Sequence, residues 1–335
     1  MSEKRLKILK KVEAGELTPR EAEKLLQSLD KKNDKKMRKT PQKIQEMLQA
    51  YNIQYSTSQL QKLQHHDVSE EFIRNLSELG YKELSINQII NLKIHDVKIE
   101  EIEEINSFFQ TNLSINKLVS IKNSGISLNI LKELLELEYS DTQPNDLINM
   151  GHHNVTMGFI TQVNKYFQEK LSIKHIIKMK IHDVTIGYIK EIHSILNEDF
   201  TINRIIEFKI HDITPEYIKG LQTLKFQDFS LNKLVKSKIH GVTLEYVKEL
   251  KQFFPDINLK ETIKGQIHGV TLENVKKMIE REIKGLTFKQ LINFAIHGVD
   301  DEYFIQLGKK GIIGLTAEQL VKSKIIGLLD DDSEL

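Results

Sequence analysis

Eight histidines stand in a row along the chain: His66, His95, His153, His182, His211, His240, His268 and His297, separated by 29, 58, 29, 29, 29, 28 and 29 residues. Imidazole ligates zinc and moves protons near neutral pH, so such a row is first a candidate metal or acid–base centre. Geometry argues against a shared site. Zinc holds ligand nitrogens at about 2.0–2.1 Å, whereas equivalent residues of stacked repeats stand about 9–10 Å apart. The adjacent pairs His65-His66 and His152-His153 diverge at a helix end, and His182-Asp183 are neighbours in a turn rather than a base with its orienting partner. The expected role is structural, each imidazole capping carbonyls of its own helix or bonding to the next repeat. Neither a metal nor a cofactor is expected.

Two further ladders keep the same step. Lys93, Lys122, Lys180, Lys209, Lys238 and Lys324 lie two residues before the histidine register in six of ten copies. Their plain role is to complement the negative end of the helix dipole. Their sharper one is a basic stripe that grips an acidic protein, a nucleic-acid backbone or a membrane surface. Phe72, Phe159, Tyr188, Tyr217, Tyr246 and Tyr303 share another register and read as core between repeats. The sequence holds no HExxH, GxxxxGK[ST], GxSxG or GxGxxG pattern. No catalytic residue is therefore assigned, and the chain is read as a non-enzyme.

The elements that must position these ladders are short helices. Ten copies of the motif run from Thr40 to about Leu328, with Ser124 in the histidine register where His is missing and Ile326 in the last copy. Thr214-Pro215-Glu216 opens one helix with an N-cap, a proline at the first helical position and an anion near the positive dipole end. Ile218 and Leu221 follow on one face. Ser85, Ser114, Ser172, Thr201, Ser230, Thr287 and Thr316 cap a second helix, and capping boxes are expected at Ser85–Gln88, Thr287–Gln290 and Thr316–Gln319. Within the copy that follows Ser230, the buried stripe is expected to be Leu234, Val235 and Ile239. The stop is Asp67, Asp96, Gly125, Asn154, Asp183, Asp212, Gly241, Gly269, Gly298 or Gly327, residue types that tolerate the left-handed region. An aliphatic residue follows in every copy, as a Schellman-type cap requires.

A pair of helices this short cannot bury its apolar stripes alone, so neighbours must stack. The predicted class is all-α: an α-solenoid of about ten 29-residue two-helix repeats at 40–328, preceded by a short helical hairpin at 1–29, a basic linker at 30–39 and followed by an acidic tail at 329–335. The hairpin pattern is Leu6, Leu9 and Val12, a break at Ala14-Gly15-Glu16, then Thr18-Pro19-Arg20-Glu21 before Ala22, Leu25, Leu26 and Leu29. With so little core it is expected to pack on the array, on a partner or on a second copy, which makes it a candidate oligomerisation element. The formal charge of +1 excludes a whole-chain drive toward polyanions, and the absence of cysteine excludes disulfides and thiolate metal sites. No signal-like or membrane-spanning stretch is evident, so a cytoplasmic location is expected.

The phrases IHGVTLEYVKEL and IHDITPEYIKGL resemble the IHGVTPEYI-type helical repeats of bacterial proteins, which often follow membrane sensor peptidases of the antirepressor type. The peptidase's zinc motif and membrane helices have no counterpart here, so no catalytic role carries over. ILKKVEAGELTPREAEKLL, from Ile8 to Leu26, is similar to the hairpin that opens YvlB- and LiaX-like (SHOCT-like) proteins. That resemblance implies regulation in bacterial envelope-stress responses. The reading is a non-catalytic scaffold or regulator that binds a protein partner. The alternative is a binder of an anionic ligand, nucleic acid or membrane surface through the lysine stripe.

Overall fold

A computed structural model describes residues 42–329 except 52, 198 and 199, together with Val12, Thr18, Glu21, Ala22 and Leu26. The described residues contain helices and no strand, as an all-α repeat protein requires. Ten helix pairs follow one another, from 42–50 with Thr57–His65 to Asp301–Lys309 with Ala317–Ile325. Most of the N-terminal hairpin, the linker at 30–39 and residues 330–335 lie outside the described residues. Of the hairpin, the Thr18–Glu21 cap is present: the Thr18 N–H donates to Glu21 Oε2 at 2.9 Å and the Glu21 N–H donates to Thr18 Oγ1 at 3.4 Å.

The cap residues act as their types dictate. Ser85, Ser114, Ser172, Thr201, Ser230, Thr287 and Thr316 each accept a hydrogen bond from the backbone N–H three residues on. The reciprocal boxes form at Ser85–Gln88 and Thr316–Gln319. At Thr287 only the forward bond forms, because Gln290 Oε1 accepts instead from Asn293 Nδ2 at 3.4 Å. Ser56–Gln59 and Asn258–Glu261 form two further boxes.

All ten stop residues are left-handed, with φ between 50° and 79° from Asp96 to Gly125. In nine of the ten copies the aliphatic residue after the stop donates its N–H back five residues, as from Val242 to the Ser237 carbonyl at 2.8 Å; Ile126 is the exception. Eight of these aliphatic latches are buried. Ile126 is half-buried, and Leu328 is exposed.

The chain divides into two compact bodies, residues 1–161 and 162–335. In the first, the second helices Thr57–His65, Ile86–Ile94, Ile115–Asn123 and Pro144–His152 pack in succession, and so do the first helices Glu70–Glu78, Ile99–Phe109 and Leu128–Glu136. In the second body, the first helices run as a row from Ile186–Leu196 to Asp301–Lys309, and Leu231–Ile239, Leu259–Ile267, Phe288–His297 and Ala317–Ile325 form a matching row of second helices. Ile218, Leu221, Leu234 and Val235 are buried as expected, but Ile239 is 51% exposed. Four residues along a helix turn the side chain by about 40°, which carries Ile239 past the edge of the buried arc that Val235 marks.

Candidate functional site: the face of the second helices

The histidine row sits where the period places it, at or beside each second-helix C-terminus. Its chemistry differs from the expectation. Among the described residues, none of the eight imidazoles makes a hydrogen bond, and none is buried. The capping is done by the backbone: His211 N–H donates to the Glu207 carbonyl at 3.1 Å, and His240 N–H to the Lys236 carbonyl at 3.1 Å. At the end of a helix the main chain already satisfies these carbonyls; His66, His95, His182 and His211 are half-buried and His153, His240, His268 and His297 exposed. The described residues contain no group of three His, Asp or Glu side chains able to hold a metal ion.

Tyrosine makes the joints expected of histidine. The Tyr188 hydroxyl donates to the Ile213 carbonyl at 2.7 Å, Tyr217 to Val242 at 2.7 Å, and Tyr246 to Val270 at 2.8 Å. Each bond ties one repeat to the latch of the next. Where the facing second-helix residue is small, the ring sinks in: Tyr217 lies on Ser237, Tyr303 on Ser323, and the Tyr246 hydroxyl beside Gly265. Burial pushes the hydroxyls of Tyr217 and Tyr246 above the ordinary tyrosine range.

The lysine row is folded inward. Lys93 lies over the Phe72 ring at 4.3 Å, Lys209 over Tyr188 at 4.7 Å, Lys238 over Tyr217 at 4.8 Å and Lys324 over Tyr303 at 4.6 Å. Each pair is 21 residues apart. In the one copy where that aromatic position holds a carboxylate, Lys122 pairs with Glu101 at 2.6 Å instead. Desolvation raises the Glu101 pKa, but hydrogen bonds and charge from Lys122 outweigh it and hold the carboxyl below its usual value. Lys180 stands in the same register as these five and is half-buried. Where the aromatic position holds Ile130 or Asn274, the lysine position holds Gly151 or Ala295. The two ladders are thus one structural device, and an offset of 21 was the signal that joined them.

Ser124, the gap in the histidine row, marks a close contact. A Cβ added at Gly151 would lie 2.1 Å from the Ser124 carbonyl oxygen, so the next second helix approaches this helix end backbone to backbone.

What remains exposed on the second helices is a different set of residues. The position just before the histidine register is isoleucine in seven of ten copies: Ile94 in the first body, and Ile181, Ile210, Ile239, Ile267, Ile296 and Ile325 in the second. These side chains are 46% to 60% exposed. Beside them in the second body lie Lys174, Lys178, Lys236, Lys260, Lys264 and Lys289, all exposed and without an ion pair or side-chain hydrogen bond among the described residues. In the first body the same face is largely uncharged, and a shallow hollow of about 660 Å3 opens there between Lys62, His66, Asn87, Asn91, Ile94 and Asn116.

Charge follows the helix rows. The ten second helices carry seventeen Lys or Arg and four Asp or Glu, while the nine first helices from Glu70–Glu78 to Asp301–Lys309 carry ten and seventeen. The net +1 of the chain conceals this separation. First helices also bridge neighbouring repeats with ion pairs at one register, Lys132–Glu104 at 3.5 Å, Lys219–Glu191 at 3.1 Å and Lys276–Glu249 at 2.7 Å.

The chain matches no protein-family model, and comparison with curated proteins and with solved structures returns no match.

Proposed function

We propose that the protein is a non-catalytic scaffold that binds another protein along the exposed face of its second helices. One observation carries this reading: isoleucine recurs at a half-exposed position in seven of ten copies. A lone exposed aliphatic residue needs no explanation, whereas a repeated, aligned set is a feature of interaction surfaces. Covering the exposed half of each isoleucine is worth about 1 kcal/mol, so several together supply useful affinity. Repeat arrays with a fixed layer step suit such a role, since variation between copies sets the partner.

The lysines named in the sequence, Lys93, Lys122, Lys209, Lys238 and Lys324, support an anionic-ligand reading less well, being engaged with rings or carboxylates of the preceding repeat. No helix among the described residues is long and apolar enough to cross a membrane. The link to envelope stress rests on the resemblance of a hairpin that lies mostly outside the described residues.

The test is affinity capture from the native cells with the intact chain and with an Ile210→Ser, Ile239→Ser variant, after circular dichroism shows equal folding. The expected result is a discrete protein held by the intact chain and lost with the variant. Identical captures, or no specific protein with either, would remove the scaffold reading.

A further inference from the structure

Resting on the scaffold reading, we infer the chemistry of the partner: an acidic, extended protein segment with an aliphatic side chain at about every third residue. It would lie along the second-helix face of residues 162–335. Three observations converge on that class.

The first is charge complementarity. Within this body the second helices carry thirteen Lys or Arg and three Asp or Glu. Two of those carboxylates are already paired, Glu207 with Arg204 at 2.7 Å and Glu318 with Lys322 at 2.8 Å. The third, Glu261, completes the cap of Asn258. The six exposed lysines named above have no such partner among the described residues. An incoming carboxylate therefore meets free ammonium groups and displaces no internal ion pair.

The second is the isoleucine row, which lies one or two helical turns C-terminal of those lysines. Phosphate recognition by lysine gains nothing from half-exposed aliphatic side chains, and single-stranded nucleic acid needs exposed rings on which bases stack. The aromatic residues on these helices, Phe208, Phe288 and Phe294, are all buried. The surface fits a ligand that brings both carboxylates and aliphatic groups, which a polypeptide does and a polynucleotide does not.

The third is the step. Packed helices stand about 8–10 Å apart, which sets the interval between successive isoleucines of the row. A polyproline-II-like segment advances about 3.1 Å per residue with three residues per turn, or one turn for each packed helix. Apolar side chains at every third position then fall on successive isoleucines, and the intervening acidic residues face the lysines.

The test uses the full chain and an 18-residue fluorescent peptide of Leu-Asp-Glu repeats. Comparison probes are a peptide of the same composition with its leucines grouped at one end, and an 18-nucleotide oligouridylate. Anisotropy should show saturable binding of the repeating peptide that weakens with added salt. The grouped peptide should bind at least fivefold more weakly. Ile210→Ser with Ile239→Ser should weaken binding of the repeating peptide at least tenfold. Lys178→Gln with Lys236→Gln and Lys264→Gln should weaken it similarly and flatten its salt dependence. All five substitutions lie at exposed or half-exposed positions, and melting curves confirm folding. No binding of the repeating peptide, equal binding of the grouped one, or oligouridylate binding that is tighter and indifferent to the isoleucine changes would overturn the proposal. Self-association of the chain, abolished by the isoleucine changes, would also overturn it by naming a second copy as the occupant. Such results leave the scaffold reading to the capture experiment, which makes no assumption about acidity.

Discussion

At the scale of single residues, what joins the repeats is the tyrosine hydroxyl. The Tyr217 hydroxyl donates its proton to the Val242 carbonyl at 2.7 Å and lies 2.9 Å from Ser237 Oγ, whereas the His211 ring makes no hydrogen bond. Tyr217→Phe strands a buried carbonyl and should cost about 1–3 kcal/mol. His211→Ala should stay within about 0.5 kcal/mol of the parent, as a surface change does. Urea unfolding of the two variants checks the order, and a larger loss for the histidine change would reverse it. The same burial has a pH signature. With the Tyr217 and Tyr246 hydroxyls held above the ordinary tyrosine value of 10, their stabilisation is fully present below that value and declines as pH rises beyond it. The melting temperature should therefore fall on the alkaline side, and less steeply in Tyr217→Phe. Gly151 is set by contact: its added Cβ would meet the Ser124 backbone, so Gly151→Ala should destabilise by about 1–3 kcal/mol. That requirement is invisible in the sequence, where Gly151 is only one more residue of a helical pattern.

At the scale of the helix, nearly all the punctuation was legible because it is local. A serine or threonine cap, a Gly, Asn or Asp stop and the following aliphatic residue act within a few residues of one another, and all ten stops take the left-handed conformation. Ser85→Ala should cost about 1 kcal/mol by loss of the hydroxyl that accepts from the Gln88 N–H, measurable by thermal melting. Thr287→Ala should cost a similar amount, since it loses the same bond from the Gln290 N–H. What the helix pattern could not show is which flank of the apolar stripe the neighbours leave open. Val235 and Ile239 are one turn apart and equally apolar, yet Val235 is 4% exposed and Ile239 51%. Only the placement of the adjoining helices separates them. Likewise the lysine and aromatic ladders were each visible, but their pairing across 21 residues depends on how one repeat lies on the next.

At the scale of the whole chain, near-neutrality arises from basic second helices and acidic first helices rather than from an even mixture. The carboxylates of the first helices are partly matched by ion pairs between repeats; exposed pairs of this kind contribute little each. Nearest-neighbour packing within each body predicts local coupling. Tyr246→Ala should lower amide protection in the helices flanking Leu244–Phe253 and leave Glu70–Glu78 unaltered, which hydrogen exchange with mass spectrometry resolves. Equal loss throughout 42–329 would show a single cooperative unit instead. The central claim, that the second-helix row is the working surface, is tested most directly by photo-crosslinking in the native cells. A benzophenone amino acid is placed at Lys236 on that row or at Lys248 on the first-helix row, both exposed. A discrete protein adduct is expected from position 236, lost when Ile210→Ser and Ile239→Ser are added, and none from position 248. An adduct from position 248 alone, or one from 236 indifferent to the isoleucines, would contradict it.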